Sequence, residues 1–164
     1  MSDVAGDPEV SVQDRYAAKS ICFGCGPAND RGLRIKSFEA EGGLVARFTP
    51  EAFHHAFPGM LNGGIIGALL DCHSNWAASI ALMKRAGLPA PPCTVTADFH
   101  VKLKRPTPLS EVILRAHVVE DPSQPTDRAL VEATLESVAT GKITATCRGT
   151  FVAVGEGHPA YHRW

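Results

Sequence analysis

The pattern in this chain best suited to chemistry is Asn62-Gly63-Gly64 followed, two helical turns on, by Asp71. A Gly-Gly pair at the head of a long apolar stretch marks a helix start. There the backbone N–H groups lack helical acceptors and carry the positive end of the dipole. Such amides can hold the oxygen of a polarised carbonyl. A carboxylate on an apolar helix is costly unless it has a partner or a task. An oxyanion donor and a carboxylate together point to acyl chemistry, with Gly63, Gly64 and Asp71 as catalytic candidates. Asn62 is counted with them as a catalytic candidate and is also suited to cap the helix.

Positions three, four, seven and eight apart share a helix face. From Gly64 that face reads Gly67, Asp71, Ser74, Asn75 and Ala78, a small and polar stripe on an apolar rod. It can admit a ligand, with Ser74 and Asn75 in reach of it, or simply pack against another element. Gly63 and Asp71 are eight residues apart, about 12 Å along a helix axis. Both groups must come within about 3 Å of one reacting group. One helix cannot do this, but two antiparallel copies can. A catalytic site is therefore expected at a two-fold interface.

Other residues are weaker candidates. His54, His55 and Phe57 precede the helix and can line a pocket, or stand exposed in a loop. Lys102, Lys104 and Arg105 cluster at a strand end, where they can meet phosphates or only solvent. His73 lies off the Asp71 face and reads as structural. Cys22 and Cys25 form a CxxC in a Gly-rich turn, but zinc needs four ligands and there is no second such pair. A tight loop packed on the core, with no metal, is the expectation, and Cys72 reads as a core thiol.

The elements that must position these groups follow from periodicity. Leu33 to Phe38 and Leu44 to Thr49 read as a hairpin turning at Glu41-Gly42-Gly43. The helix should run from Gly63 or Gly64 to about Ala86, stopped by Gly87 and Pro89, with Lys84 and Arg85 in its last turn. Period two then takes over in Thr94 to Lys104, Glu111 to Glu120, Arg128 to Val138 and Lys142 to Val154. In the first of these, Val95, Ala97, Phe99, Val101 and Leu103 should face one way and Thr96, Asp98, His100, Lys102 and Lys104 the other. An apolar helix and one antiparallel sheet must pack together. The expected fold is α+β: one long central helix wrapped by a curved sheet of about six strands. Residues 1 to 20 are expected to form a flexible arm, 21 to 154 the domain, and 155 to 164 an irregular tail.

Composition narrows the classes. The 164 residues are 45% hydrophobic and 20% charged, with net charge −1. This is an ordinary globular balance with no support for nucleic-acid or membrane-surface binding. The apolar stretch from Ile65 to Met83 is broken by Asp71, His73, Ser74 and Asn75, as suits a buried helix and not a membrane span. The polar, acidic start and five cysteines suggest reduced thiols in a cytoplasmic protein.

These residues also carry a resemblance. The opening Cys22-Phe23-Gly24-Cys25-Gly26 with Asn29 and Gly32-Leu33, the loop Phe57-Pro58-Gly59, Gly63-Gly64, Leu69-Leu70-Asp71, and Val95-Thr96-Ala97-Asp98 leading to Arg105-Pro106 are similar to the hotdog-fold acyl-CoA thioesterases. The likeness spans about residues 21 to 154 and is strongest to the branch related to phenylacetate-degradation thioesterases. It implies a hotdog fold, a homodimer or dimer of dimers, and thioester hydrolysis between subunits. The Gly63 amide would polarise the carbonyl, and Asp71 of the partner subunit would act as nucleophile or general base. Thr96 would hold water or the carboxylate. Coenzyme A enters only as part of the substrate, with no separate cofactor. The chain departs from the family at Asn62 (usually His), Ala56 (often a carboxamide) and Cys72 (often Glu). The departures spare Asp71 and the amides but alter the contacts that orient the carbonyl. Two other readings stay open: an enoyl-thioester hydratase or dehydratase pairing a carboxylate with histidine, and a non-catalytic acyl-ligand binding protein.

Overall fold

The computed structural model describes residues 9–164. In chain order the elements are α1 (Val12–Tyr16), β1 (Lys36–Ala40), β2 (Gly43–Phe48), a 3-10 turn (Ala52–His54), β3 (His55–Phe57), β4 (Met60–Leu61), α2 (Gly63–Ala86), β5 (Thr94–Leu103), β6 (Val112–Val119), β7 (Arg128–Ser137) and β8 (Lys142–Ala153). Six strands form one antiparallel sheet in the order β1-β2-β6-β7-β8-β5, and β3 pairs with β4 apart from it. The sheet wraps α2, as the apolar rod required.

Helix α2 begins and ends where its chemistry dictates. The Asn62 side chain accepts hydrogen bonds from Gly64 N–H at 2.8 Å and Ile65 N–H at 3.2 Å, satisfying two donors of the first turn. At the other end Gly87 takes the left-handed conformation (φ 63°), and Leu88 N–H donates to Met83 O at 2.9 Å. Between these ends α2 packs mainly on β7, β6 and β8. Leu69, Leu70 and Trp76 from the helix meet Leu114, Val131, Leu135 and Phe151 from the strands, all essentially inaccessible. Each such side chain contributes about 1.5–3 kcal/mol on burial.

Two expectations are corrected. Simple alternation grouped Thr96 with Asp98, His100 and Lys102, but Thr96 faces the helix and meets Asp71, the position the resemblance implied, because β5 carries a bulge: Thr96 pairs with Phe151 and Asp98 with Thr150, leaving Ala97 as an extra residue. A bulge shifts the alternation by one. Thr94 and Thr96 before it, and Phe99 and Leu103 after it, therefore all face α2. Their contacts there are Asn75, Asp71, Gly67 and Gly63, respectively.

The second correction concerns the arm. Residues 1–8 of the expected flexible segment lie outside the described residues. Residues 12–16 form α1, capped by Ser11, with Val12 and Gln13 buried. Gln13 Nε2 donates to Ser37 Oγ (3.0 Å) and its Oε1 accepts from Ser37 N–H (2.8 Å). The Ser37 hydroxyl meets His73 Nδ1 at 2.8 Å, and His73 Nε2 meets Leu44 O at 3.1 Å. Burial lowers the His73 pKa to about 4, so a neutral ring donates to Leu44 and accepts from Ser37. His73 is structural, as its position suggested. The tail is irregular but docked: the Trp164 ring stacks on Trp76 at 4.6 Å and its Nε1 donates to Pro91 O.

Candidate functional site

The site is built around the first half of α2. The Asn62 cap occupies the amides of Gly64 and Ile65, which removes Gly64 from the set of available oxyanion donors. The Gly63 N–H is left without an acceptor among the described residues. The chain is held at this point by Asn62 N–H donating to His54 O (2.9 Å) and Leu61 N–H to Thr107 O (2.8 Å). Beside Gly63 lies an open cleft of about 390 Å³ lined by Phe57, Ile66, Leu103, Lys104 and Arg105 among others. Its floor is apolar and two cations stand at its rim.

Two turns on, Asp71 is only partly accessible, and its Oδ1 accepts a 2.7 Å hydrogen bond from the Thr96 hydroxyl. The β5 bulge makes this contact by turning Thr96 inward. Burial pushes the Asp71 carboxyl above its ordinary value, against the stabilising hydrogen bond from Thr96. Cys22 adds to the upward shift and Arg163 opposes it. A carboxylate so placed is a stronger base than one in water.

The remaining candidates divide. Phe57, Lys104 and Arg105 share the cleft with Gly63. His55 is exposed on β3. His54 is committed elsewhere: it is buried, stacks with Phe48, and its Nδ1 accepts from Glu51 N–H at 3.0 Å. Ser74 and Asn75 are also buried, because the start of β5 covers that part of the stripe, and Asn75 exchanges hydrogen bonds with Thr94. Lys102 lies on the outer face of the sheet in a groove with Asp98, His100, Glu132 and Arg148. Strand β5 ends at Leu103, and Lys104 and Arg105 beyond it line the Gly63 cleft, which Lys102 does not share.

Two groups near Asp71 escaped the sequence reading. The charge of Arg163 in the tail acts on it through space, and no local pattern marks that return. Cys72 joins Cys22 and Cys25 in a cluster whose sulfurs all lie within 4.8 Å of one another. Hydrogen bonds from the Cys25 and Cys72 thiols hold Cys22 well below the ordinary thiol range, while Cys25 is pushed up to about 11. The CxxC was legible; its third member was not.

No protein-family model matches the chain, and no curated protein matches it. Solved structures do. A thioesterase superfamily protein from Shewanella loihica PV-4 is 28% identical with a TM-score of 0.61, over 79% of this chain and 98% of that one. The Escherichia coli PaaI protein of the phenylacetic acid degradation operon is 18% identical with a TM-score of 0.60, over 75% and 81%. A Bacillus halodurans protein crystallised with CoA is 22% identical with a TM-score of 0.58, over 76% of each chain. The fold is the hotdog fold of the thioesterase superfamily.

Proposed function

We propose that this chain hydrolyses an acyl-CoA, or a related thioester, at a site completed by a second copy of itself. One observation carries the reading. The unpartnered Gly63 amide and the Thr96-bound Asp71 carboxylate belong to one helix, eight residues and about 12 Å apart. Neither can serve the other's substrate within one chain. In an antiparallel pair of helices, each Gly63 faces the partner subunit's Asp71.

The surface fits that pairing. Phe57 is 55% exposed, Leu103 57% and Phe99 37%, all around the open half of α2. Strand β5 is a sheet edge ten residues long, and an unpaired edge beside apolar side chains invites another strand. Edge-to-edge joining of two β5 strands would bring the two helices side by side.

In this arrangement the thioester carbonyl oxygen accepts from Gly63 N–H, which stabilises the oxyanion of the tetrahedral intermediate. The partner subunit's Asp71 takes a proton from water as the water oxygen bonds to the carbonyl carbon. Collapse breaks the C–S bond, and the departing sulfur receives the proton. Direct attack by the carboxylate, through a mixed anhydride, is the variant with Asp71 as nucleophile. Lys104 and Arg105 are placed to meet coenzyme A phosphates. The five free cysteines suit a reducing, cytoplasmic setting. No helix among the described residues is long and apolar enough to cross a membrane.

A hydratase would need His54 or His55 beside the carboxylate; His54 is held by Glu51 N–H, and His55 stands exposed on β3 as the histidine such a reaction would use. The test is thiol release from short, long and aromatic acyl-CoAs by wild type and Asp71→Asn. Release by wild type, lost in a folded variant, supports hydrolysis. Hydration of a crotonyl-type thioester without thiol release, or tight acyl-CoA binding with no turnover across the panel, overturns it.

A further inference from the structure

We infer that Cys22, Cys25 and Cys72 form a thiolate site for one zinc-class divalent cation, clamping the N-terminal loop onto α2 beside Asp71. The three sulfurs lie within 4.8 Å of one another, and Cys22 Sγ and Cys72 Sγ are 3.7 Å apart. In a tetrahedral zinc–thiolate site, Zn–S bonds of about 2.3 Å place sulfurs about 3.8 Å apart. The Cys22–Cys72 spacing is that of two ligands on a common ion, and it is far longer than the roughly 2.0 Å of a disulfide bond.

The loop is shaped for this approach. A Cβ at Gly24 would stand 2.3 Å from Cys72 Sγ, so only glycine lets the loop lie on the helix at that point. Backbone bonds fix the turn: Gly26 N–H donates to Cys22 O (2.8 Å), Leu33 N–H to Phe23 O (2.7 Å) and Ile35 N–H to Gly24 O (3.1 Å). Cys25 is buried and Cys22 half-buried, so the cation would be shielded yet reachable.

Sequence spacing supplies two ligands and the fold supplies the third. Three protein thiolates leave the fourth tetrahedral position to water or an added ligand. Binding releases the thiol protons to solvent and needs no oxidant or reductant.

The full chain, reduced and freed of metal, is titrated with Co2+ and then Zn2+ while absorbance is followed. Expected are one equivalent bound per chain, a sulfur-to-cobalt charge-transfer band, and its bleaching by Zn2+. Cys22→Ser, Cys25→Ser and Cys72→Ser should each abolish that one-equivalent binding, whereas Cys93→Ser should leave it intact. Where a serine variant fails to fold, X-ray absorption of zinc-loaded wild type decides, with a shell of about three sulfurs near 2.3 Å expected. A zinc shell of nitrogen and oxygen alone, absence of binding, or a stoichiometric disulfide within the cluster of the protein as isolated overturns the site. None of these readouts depends on thioester turnover, so failure here and failure of the hydrolase reading are separate results.

Discussion

The two halves of α2 are both largely apolar and have opposite surroundings. From His73 to Ile80 every residue is buried, with strands β6, β7 and β8 on one side and the start of β5 and the tail on the other. From Gly63 to Asp71 only Ile66, Leu69 and Leu70 are buried, and the other side of the helix lies open. Both halves are too apolar to be stable in water on every face. The second half finds its cover within the chain, and the first half keeps a face of Gly64, Gly67 and Asp71 flanked by exposed Phe99 and Leu103. The candidate site lies where the fold leaves its own helix uncovered.

If this division is right, the two halves should fail differently under mutation. Trp76→Ala removes a ring that is 1% exposed and stacked on Trp164. It should cost about 3–5 kcal/mol of stability, read by urea unfolding, with loss of activity following only from loss of fold. Asp71→Asn should do the reverse, lowering kcat for thiol release by about 10²–10⁴-fold while the urea midpoint does not fall. A large loss of stability in Asp71→Asn would move this carboxylate into the structural half and break the comparison.

Smaller effects sharpen the boundary. Asn62→Ala should cost about 1 kcal/mol through loss of the cap, measured by thermal unfolding at fixed protein concentration. Lys104→Ala and Lys102→Ala separate the cleft from the outer face. The first should raise KM for acyl-CoA by up to about tenfold, as one charge-assisted hydrogen bond is lost. The second should change KM little. Equal effects would mean that the phosphates do not lie at the Gly63 cleft.

Much of this was legible in the residues, and what was not shares a cause. The helix ends were legible because Asn62 and Gly87 act on their immediate neighbours. The six long strands were legible because alternation repeats, and Asp71 stood out as a charge on an apolar rod. The bulge at Ala97 has no local marker, and it alone brings Thr96 to Asp71. Helix α1 is five residues long, too short to show a period. The burial of Ser74 and Asn75, the charge of Arg163 near Asp71 and the joining of Cys72 to Cys22 and Cys25 arise from distant parts of the chain, and no neighbouring residue announces them. Lys102 and Lys104 were grouped by sequence and parted by geometry.

The shared site is tested most directly by mixing two inactive variants. Asp71→Asn lacks the acid, and Gly63→Val crowds the oxyanion amide, where a Cβ already meets Leu103 at 3.1 Å. Each variant alone should release almost no thiol. Unfolded together and refolded as an equal mixture, half the dimers should be mixed, each with one intact site of two, restoring about a quarter of wild-type activity. No recovery in a mixture shown to contain mixed dimers, or full activity from a wild-type protein that remains monomeric, would contradict the account.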